Sequence, residues 1–270
     1  MTNLDYLAIA AVILLGVPHG GLDGAVARRV GWPITTNAWL SFHLIYVAIA
    51  AAVAGFWWWF PSVSLGLFLL ISGLHFGLND SRHLLPSTNG WAIPVSAHGG
   101  LAAIAIPGFQ SEAVLPMFTL LVGAHGASTL NQVINFALPL YLLIVVIFTV
   151  QSIREERWRL SVVTLLSFLV LAYVLPPLIS FALYFCLWHS RIHMLRTLRS
   201  IDSQDRRRSL LEALVYSVAA WSVAGLIYLF LPMDVDSALL QLTFIGLAAL
   251  TVPHMLLVDL TESKTKRSTQ

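Results

Sequence analysis

Two histidines stand four residues apart in the apolar stretch 181–194, which reads FALYFCLWHSRIHM. On an α-helix this spacing places His189 and His193 on one face, about 6 Å apart. Two imidazoles at that separation can serve as ligands of one metal ion. Arg191 and Arg196 follow closely, so the helix is predicted to leave a bilayer just after the pair.

Four more histidines are predicted to lie at a similar depth, within about 15 Å of the same membrane interface. They are His19, His75, His98 and His254. Ionisable residues inside a bilayer are costly and are therefore functional candidates, and facing helices of a bundle can project ligands inward. A single membrane histidine can also serve only as a hydrogen-bonding residue between helices, and for each one that alternative stays open.

Three aspartates follow these histidines closely along the chain. They are Asp23, Asp80 and Asp259, which come four, five and five residues after the nearest preceding histidine. A carboxylate beside a ligating histidine can accept its second N–H and fix the tautomer. The alternative is that each aspartate pairs with an arginine at the interface, and the sequence does not choose between the two.

The histidine motifs restrict which classes of metal site the sequence is compatible with. Imidazole suits Zn, Cu, Fe and Ni. The chain has no HExxH motif, which disfavours a zinc protease. It has one HxxxH and no HxxHH, unlike the di-iron membrane hydroxylases and desaturases. A mononuclear site with mostly imidazole ligands fits best, and bis-histidine haem is the rival.

The elements that must position these residues are transmembrane helices. The chain has 270 residues, of which 58% are hydrophobic and 10% charged, against about 25% charged in a soluble domain. Apolar runs of about 20 residues recur from end to end. We therefore predict an all-α polytopic bundle. The single cysteine, Cys186, excludes an intrachain disulfide and a CxxC metal site.

About nine spans are predicted, and eight to ten are compatible with the sequence. They cover residues 4–27, 37–60, 62–79, 91–107, 131–151, 160–175, 178–198, 210–231 and 237–260. The short apolar segment 113–129 is predicted to be a half-helix or re-entrant segment. Residues 1–262 are predicted to form one transmembrane domain, and residues 263–270 a disordered cytoplasmic tail.

The basic residues predict the orientation of the chain. With nine spans, all 15 Lys and Arg fall on one side. The positive-inside rule makes that side cytoplasmic, so the N-terminus is predicted to be outside and the C-terminus inside.

Several motifs resemble those of a known family. They are VPHGGLDG, HFG with a following Asp, AHGG, YFCLWHSRIH and IGLAALTVPHMLLVD, spread from His19 to Asp259. They resemble the Brp/Blh family of bacterial and archaeal β-carotene 15,15'-dioxygenases. The resemblance implies an enzyme of the plasma or inner membrane that cleaves the central double bond of β-carotene with O2. The products would be two all-trans-retinal molecules, which would supply a microbial rhodopsin, and no nucleic-acid partner is expected.

The resemblance also implies the cofactor and its ligands. In the family, iron is held by histidines of motifs that in this sequence contain His19, His75, His189 and His193. The expected cofactor is therefore a mononuclear non-haem Fe(2+). His254 and His98 also stand in family motifs, and each is expected either to be a further ligand or to line the O2 and substrate cavity.

The substrate cavity is expected to be apolar because β-carotene is a hydrocarbon. Its candidate lining residues are Phe76, Tyr184, Phe185, Trp188 and Met255, for which plain helix packing is the alternative. Two other functions stay open: a haem-binding membrane electron carrier, and a carotenoid- or retinal-binding membrane protein without enzymatic activity.

Overall fold

The chain is built from helices throughout the part that is described. The computed structural model describes residues 1–84, 91–230 and 232–267, with side chains to residue 258. Within these ranges there is no β-strand. The all-α class predicted from composition is therefore confirmed.

The chain divides into two compact units. The first unit comprises Met1–Ile9 and Phe60–His189, and the second comprises Ala10–Trp59 and Ser190–Gln270. The helix α1, Asn3–Ala11, begins in the first unit and ends in the second. Whether the chain is one domain with a disordered tail stays a prediction; α12, the last helix, is described as far as Arg267.

The second unit holds most of the N-terminal and all of the C-terminal helices. Its α-helices are α2 Asp23–Arg29, α3 Thr36–Trp59, α10 Arg191–Arg199, α11 Ser203–Phe230 and α12 Val235–Arg267. Before α2 the chain passes through a π-helical turn, Val12–Gly16, and a 3₁₀ segment, Val17–Leu22.

The first unit holds the central helices. They are α4 Pro61–Asp80, α5 Ala92–Gly100, α6 Ile106–Phe109, α7 Ser111–Arg154, α8 Glu156–Val174 and α9 Pro177–Ala182. A 3₁₀ turn, Arg82–Leu84, follows α4, and π-helical segments cover Leu101–Ala105 and Leu183–Ser190.

Eight helical stretches of the described residues are long and apolar enough to cross a membrane. They are Asn3–Arg29, Thr36–Trp59, Pro61–Asp80, Ala92–Phe109, Ser111–Arg154, Glu156–Val174, Ser203–Phe230 and Val235–Val258. Each coincides with or contains a predicted span. The other predicted span, 178–198, is helical but is divided among α9, the π-helical segment and α10. The orientation of the termini stays a prediction.

The short apolar segment 113–129 contains a break in α7. Gly123 has φ 77° and ψ 163°, a conformation outside the helical region that glycine adopts without strain. The helix before it, residues 111–122, is about 18 Å long, roughly half the thickness of a bilayer core. This agrees with the half-helix alternative predicted from the sequence.

Helices α4 and α5 touch through their backbones. A Cβ added at Gly77 would overlap the carbonyl oxygen of Val95, and one added at Gly99 would overlap that of Gly73. Small residues of this kind let membrane helices approach closely, because no side chain separates the two backbones. The contact fixes α4, which carries His75 and Asp80, against α5.

The second unit is tied together by polar contacts at the end of α2. Arg28 donates to both carboxylate oxygens of Glu212 on α11, at 2.9 and 2.7 Å, and to the hydroxyl of Ser209 at 3.2 Å. Trp221 of α11 donates to the carbonyl oxygen of Ile13 at 3.2 Å. These contacts hold α11 beside the N-terminal segment that carries His19.

Candidate functional site

Three buried histidines meet in the second unit. His19 comes from the 3₁₀ segment, His193 from α10 and His254 from α12, and each is less than a tenth exposed. The ring centroids lie 5.7 Å apart for His19–His193, 5.3 Å for His19–His254 and 5.1 Å for His193–His254. The planes of the rings are 75° to 87° apart, so the three rings form a compact triangle with edge-to-face contacts.

Hydrogen bonds orient two of these rings. His254 donates through Nδ1 to Oδ1 of Asp23 at 2.6 Å, and the hydroxyl of Tyr46 donates to Oδ2 of Asp23 at 2.9 Å. Nδ1 of His19 contacts the carbonyl oxygen of Gly16. A carboxylate or carbonyl that accepts from Nδ1 selects the tautomer in which Nε2 presents its lone pair. Nε2 is therefore the ligand atom that these contacts select in both rings.

The 3₁₀ segment that carries His19 needs glycine after that histidine. A Cβ at Gly21 would stand 2.7 Å from Cα and from the carbonyl oxygen of Ala213 on α11, closer than such atoms can approach. Gly21, two residues after His19, thus allows this segment to lie directly on α11, and the position of His19 follows from that contact.

Two buried histidines meet in the first unit. His75 of α4 and His189 of the π-helical segment have ring centroids 5.4 Å apart, and each is 1% exposed. His189 donates through Nδ1 to Oδ1 of Asp80 at 2.9 Å, and Tyr184 donates to Oδ2 of Asp80 at 2.7 Å. The amide of Asn79 donates to the carbonyl oxygen of His75 and lies 3.2 Å from its Nδ1.

An aromatic wall covers His189. The ring centroid of Phe76 is 4.2 Å from that of His189, and Phe185 stacks on His189 at 6.1 Å with an interplanar angle of 12°. Phe76 also contacts Tyr184 at 5.7 Å and Phe185 at 6.0 Å. The wall is buried and apolar, and its role in lining a substrate cavity stays a prediction.

The remaining predicted site residues have other surroundings. His98 shares a hydrogen bond of 2.7 Å between its Nε2 and the hydroxyl of Ser161, and its ring contacts Phe148. Trp188 is half-buried and contacts Phe168 at 6.1 Å. Met255 is half-buried on α12 beside His254. The side chain of Asp259 lies outside the described residues, so its predicted role stays a prediction.

Two of the three aspartates form hydrogen bonds with buried histidines. Asp23 and Asp80 pair with histidines, so the alternative that they pair with arginines is not what the structure shows. Neither bonds to the histidine that precedes it in the sequence: Asp23 bonds to His254 and Asp80 to His189. Five residues along an α-helix turn Asp80 away from His75, and the change from 3₁₀ to α-helix at residue 23 interrupts the face of His19.

Sequence reasoning missed two residues of these networks and assigned a third differently. Tyr46 and Asn79 were not predicted, although a tyrosine in the middle of an apolar span is a usable signal because its hydroxyl needs a partner there. Tyr184 was predicted to line the cavity, and its ring does contact Phe76. Its hydroxyl, however, is bonded to Asp80.

The three histidines of the second unit suit a metal ion in type and nearly in spacing. Three imidazoles on one ion, with bonds of about 2.1 Å and angles of about 90 to 110°, have ring centres about 4.5 to 5.3 Å apart. The observed 5.1 to 5.7 Å is at or just above that range. Accordingly, no three His, Cys, Asp or Glu side chains of the described residues already stand close enough to hold an ion.

Comparison with known proteins gives one consistent family. A sequence model of the family described as Beta-carotene 15,15'-dioxygenase matches residues 10–262. A relative named Beta-carotene 15,15'-dioxygenase, from uncultured marine bacterium 66A03, is 34% identical over 260 residues, which cover 95% of this chain and 93% of the relative. A relative from Halobacterium salinarum, named Probable beta-carotene 15,15'-dioxygenase Blh, is 25% identical over 284 residues, covering 93% and 82%. No solved structure matches the chain significantly.

Proposed function

We propose that this chain, which belongs to the beta-carotene 15,15'-dioxygenase family, cleaves the central double bond of β-carotene with O2 and releases two all-trans-retinal molecules. The match of residues 10–262 to the family carries the proposal. The reaction is balanced without a further reductant: the central C=C bond breaks, and each carbon becomes an aldehyde that holds one oxygen atom of O2. Retinal formed in the plasma or inner membrane would serve a retinal-binding membrane protein such as a microbial rhodopsin.

The proposed cofactor is a single non-haem Fe(2+). The proposed ligands are those implied by the family motifs: His19, His75, His189 and His193. We add His254, because its ring stands with those of His19 and His193 and its Nδ1 proton is held by Asp23. When bound, the ferrous ion would supply the redox chemistry that O2 needs to react with a closed-shell hydrocarbon.

The residues of the chain would prepare this chemistry in three ways. Asp23 and Asp80 hold the Nδ1 protons of His254 and His189, so the ligand nitrogens keep their orientation. Outer partners of this kind typically contribute 10- to 100-fold in metal affinity or activity. The hydroxyl of Tyr46 donates to Asp23 and that of Tyr184 to Asp80, which fixes the position of each carboxylate.

The aromatic wall of the first unit would act on the substrate. Phe76 and Phe185 cover His189 and exclude water from that side of the ring. A carotenoid offers no polar group near its centre, so its binding must come from apolar burial, at about 25 cal/mol per Å2. The register of the central double bond would then depend on the shape of the cavity.

The test is retinal formation in cells that accumulate β-carotene. His189→Ala should abolish retinal, quantified by chromatography, because it removes a proposed ligand and the partner of Asp80. His125→Ala is the matched control, since His125 is an exposed histidine of the same unit. Persistent retinal in the folded His189→Ala protein would contradict the ligand assignment.

The same cells separate the two rival functions. A Soret band in the purified wild-type protein would favour a haem electron carrier. Stoichiometric carotenoid bound without O2 consumption or loss of colour would favour a binding protein. Loss of colour with an aldehyde other than retinal would keep the reaction class and change the bond or the substrate.

A further inference from the structure

A groove lies between α3 and α11 in the second unit, and its lining residues do not include His19, His193 or His254. It has a volume of 540 Å3, within the range of about 300 to 1,000 Å3 of small-molecule sites. Its lining includes Arg207, Arg208, Leu211 and Val215 of α11 and Trp39 of α3. We call it the arginine groove.

The polar end of the arginine groove is positively charged. Glu212 is the acidic residue of its lining, and it is already paired with two arginines: with Arg28 at 2.7 Å and with Arg208 at 2.9 Å. Arg207 adds a third guanidinium. Three arginines against one carboxylate leave two positive charges. The surplus positive charge would therefore attract an anion, and the anion could bind without displacing the existing ion pairs.

Two helices also begin at this end. Helix α3 starts at Thr36, three residues before Trp39, and α11 starts at Ser203, four residues before Arg207. The N-terminal end of a helix carries a partial positive charge, which stabilises a nearby anion by about 0.3 to 1 kcal/mol. The first turn of α11 carries Asp205, whose negative charge offsets this effect, whereas the first turn of α3 has no acidic residue. The start of α3 therefore adds to the field of the arginines.

The other end of the arginine groove is apolar and continues along an exposed face of α11. Leu211 and Val215 are 55% and 62% exposed, and Leu214 and Val218 extend the same apolar surface. The span that contains them runs from Ser203 to Phe230. Acyl chains can therefore follow this surface directly from the arginines into the bilayer.

The wall of the arginine groove is held in place by two hydrogen bonds of His43, one within α3 and one to α11. His43 donates through Nδ1 to the carbonyl oxygen of Trp39 at 2.7 Å, and its Nε2 accepts from the hydroxyl of Tyr216 at 2.8 Å. The guanidinium of Arg28 lies 5.5 Å from the centre of the Trp39 ring. Trp39 is thus fixed beside the charged end, where an indole ring suits the interface between headgroups and acyl chains.

We propose that the arginine groove binds one anionic phospholipid, with its phosphate at Arg207 and Arg208 and its acyl chains along Leu211 and Val215. A zwitterionic lipid would bind with less favourable free energy, because its own cationic group is repelled by the two surplus positive charges. A free phosphate would leave the apolar half of the groove uncovered. The bound lipid would be a fixed part of the surface of the second unit, independent of the substrate.

The test measures which lipids stay with the protein. The full chain is placed in nanodiscs of nine parts phosphatidylcholine to one part phosphatidylglycerol, re-extracted in mild detergent, and its retained lipids are quantified by mass spectrometry. Phosphatidylglycerol should be enriched over its share of the bilayer by roughly fivefold for each arginine that contacts it. In Arg207→Gln/Arg208→Gln the retained ratio should fall to that of the bilayer.

The matched control removes two arginines elsewhere. Arg157→Gln/Arg159→Gln lowers the charge equally, and both side chains are more than half exposed on α8. It should keep the wild-type enrichment. If the groove double variant does not fold, Arg207→Gln alone leaves the Glu212 pairs in place and should still lower the enrichment severalfold.

Three results would overturn the proposal. The first is a wild-type lipid ratio equal to that of the bilayer. The second is enrichment that persists in the folded groove variant or disappears equally in the control. The third is complete displacement of phosphatidylglycerol by millimolar inorganic phosphate, which would identify a site for the phosphate alone. Retinal formation by the groove variant, measured in parallel, keeps this result separate from the proposed dioxygenase activity.

Discussion

Both units contain the same hydrogen-bonded group of three side chains. In each, a tyrosine hydroxyl donates to one oxygen of an aspartate, and the other oxygen accepts from Nδ1 of a histidine. In the first unit it is Tyr184–Asp80–His189, and in the second it is Tyr46–Asp23–His254. The first takes two members from one helical segment, whereas the second takes each member from a different helix. The same chemical grouping is thus reached by two different routes through the fold.

Because the first unit takes two members of the group from one segment, its backbone there is π-helical rather than α-helical. Tyr184 and His189 are five residues apart, and they lie in the π-helical segment Leu183–Ser190. A π-helix bonds residue i to i+5, so residues five apart come close to the same face. Both side chains can therefore reach Asp80. The second unit needs no such distortion, because α2, α3 and α12 each supply one member.

The largest effect should come from removing a histidine of the second-unit cluster. His254→Ala removes one of three adjoining imidazoles and leaves buried Asp23 without its histidine partner. Iron bound per protein, measured by elemental analysis, should therefore fall by more than about 100-fold, beyond the loss typical of an outer partner. His98→Ala is the control, because His98 is equally buried but is bonded to Ser161. Equal iron loss in both variants would contradict the assignment of His254 as a ligand.

A smaller effect should follow from removing the charge of either aspartate. Asp80→Asn and Asp23→Asn should each weaken iron retention and retinal formation by about 10- to 100-fold without abolishing them. Iron content and the electron paramagnetic resonance of the nitric oxide adduct would be measured together. If one variant keeps its iron while the other loses it, only the aspartate of the sensitive variant supports a proposed iron ligand.

The smallest effect should come from the two tyrosines. Tyr184→Phe removes a 2.7 Å hydrogen bond to a carboxylate and should cost about 1.5 to 3 kcal/mol in unfolding free energy. Tyr46→Phe should cost less, because Tyr46 is only half-buried and Tyr184 is 1% exposed. Thermal midpoints in detergent measure both. A larger loss for Tyr46→Phe would reverse the comparison, and iron loss above tenfold in either would show a direct role at the metal.

The burial of the six candidate histidines could be predicted from sequence, because ionisable residues within apolar runs face protein. The spans follow from apolar run length, and the break near Gly123 follows from glycines in a short apolar segment. The partners of Asp23 and Asp80 could not be predicted, because each bond joins residues more than a hundred positions apart. The grouping of His254 with His19 and His193 depends in the same way on how α10 and α12 pack.

The π-helical segment also escaped prediction. Regular α-helical geometry would place His189 and His193 on one face. In the structure, His189 belongs to a π-helical turn that ends at Ser190, and His193 belongs to α10. The residue types in LYFCLWHS do not encode this change, which follows from how the segment packs in the fold.

The glycine contact between α4 and α5 has a consequence for how the first unit adapts to lipids. Gly73 and Gly77 are one helical turn apart, and each meets the backbone of α5. Helix α5 therefore cannot slide along α4 by less than a full turn, about 5.4 Å, without a collision. In a thinner or thicker bilayer the two helices must tilt as a single body to relieve the hydrophobic mismatch. The height of His75 relative to α5 is thus independent of membrane thickness.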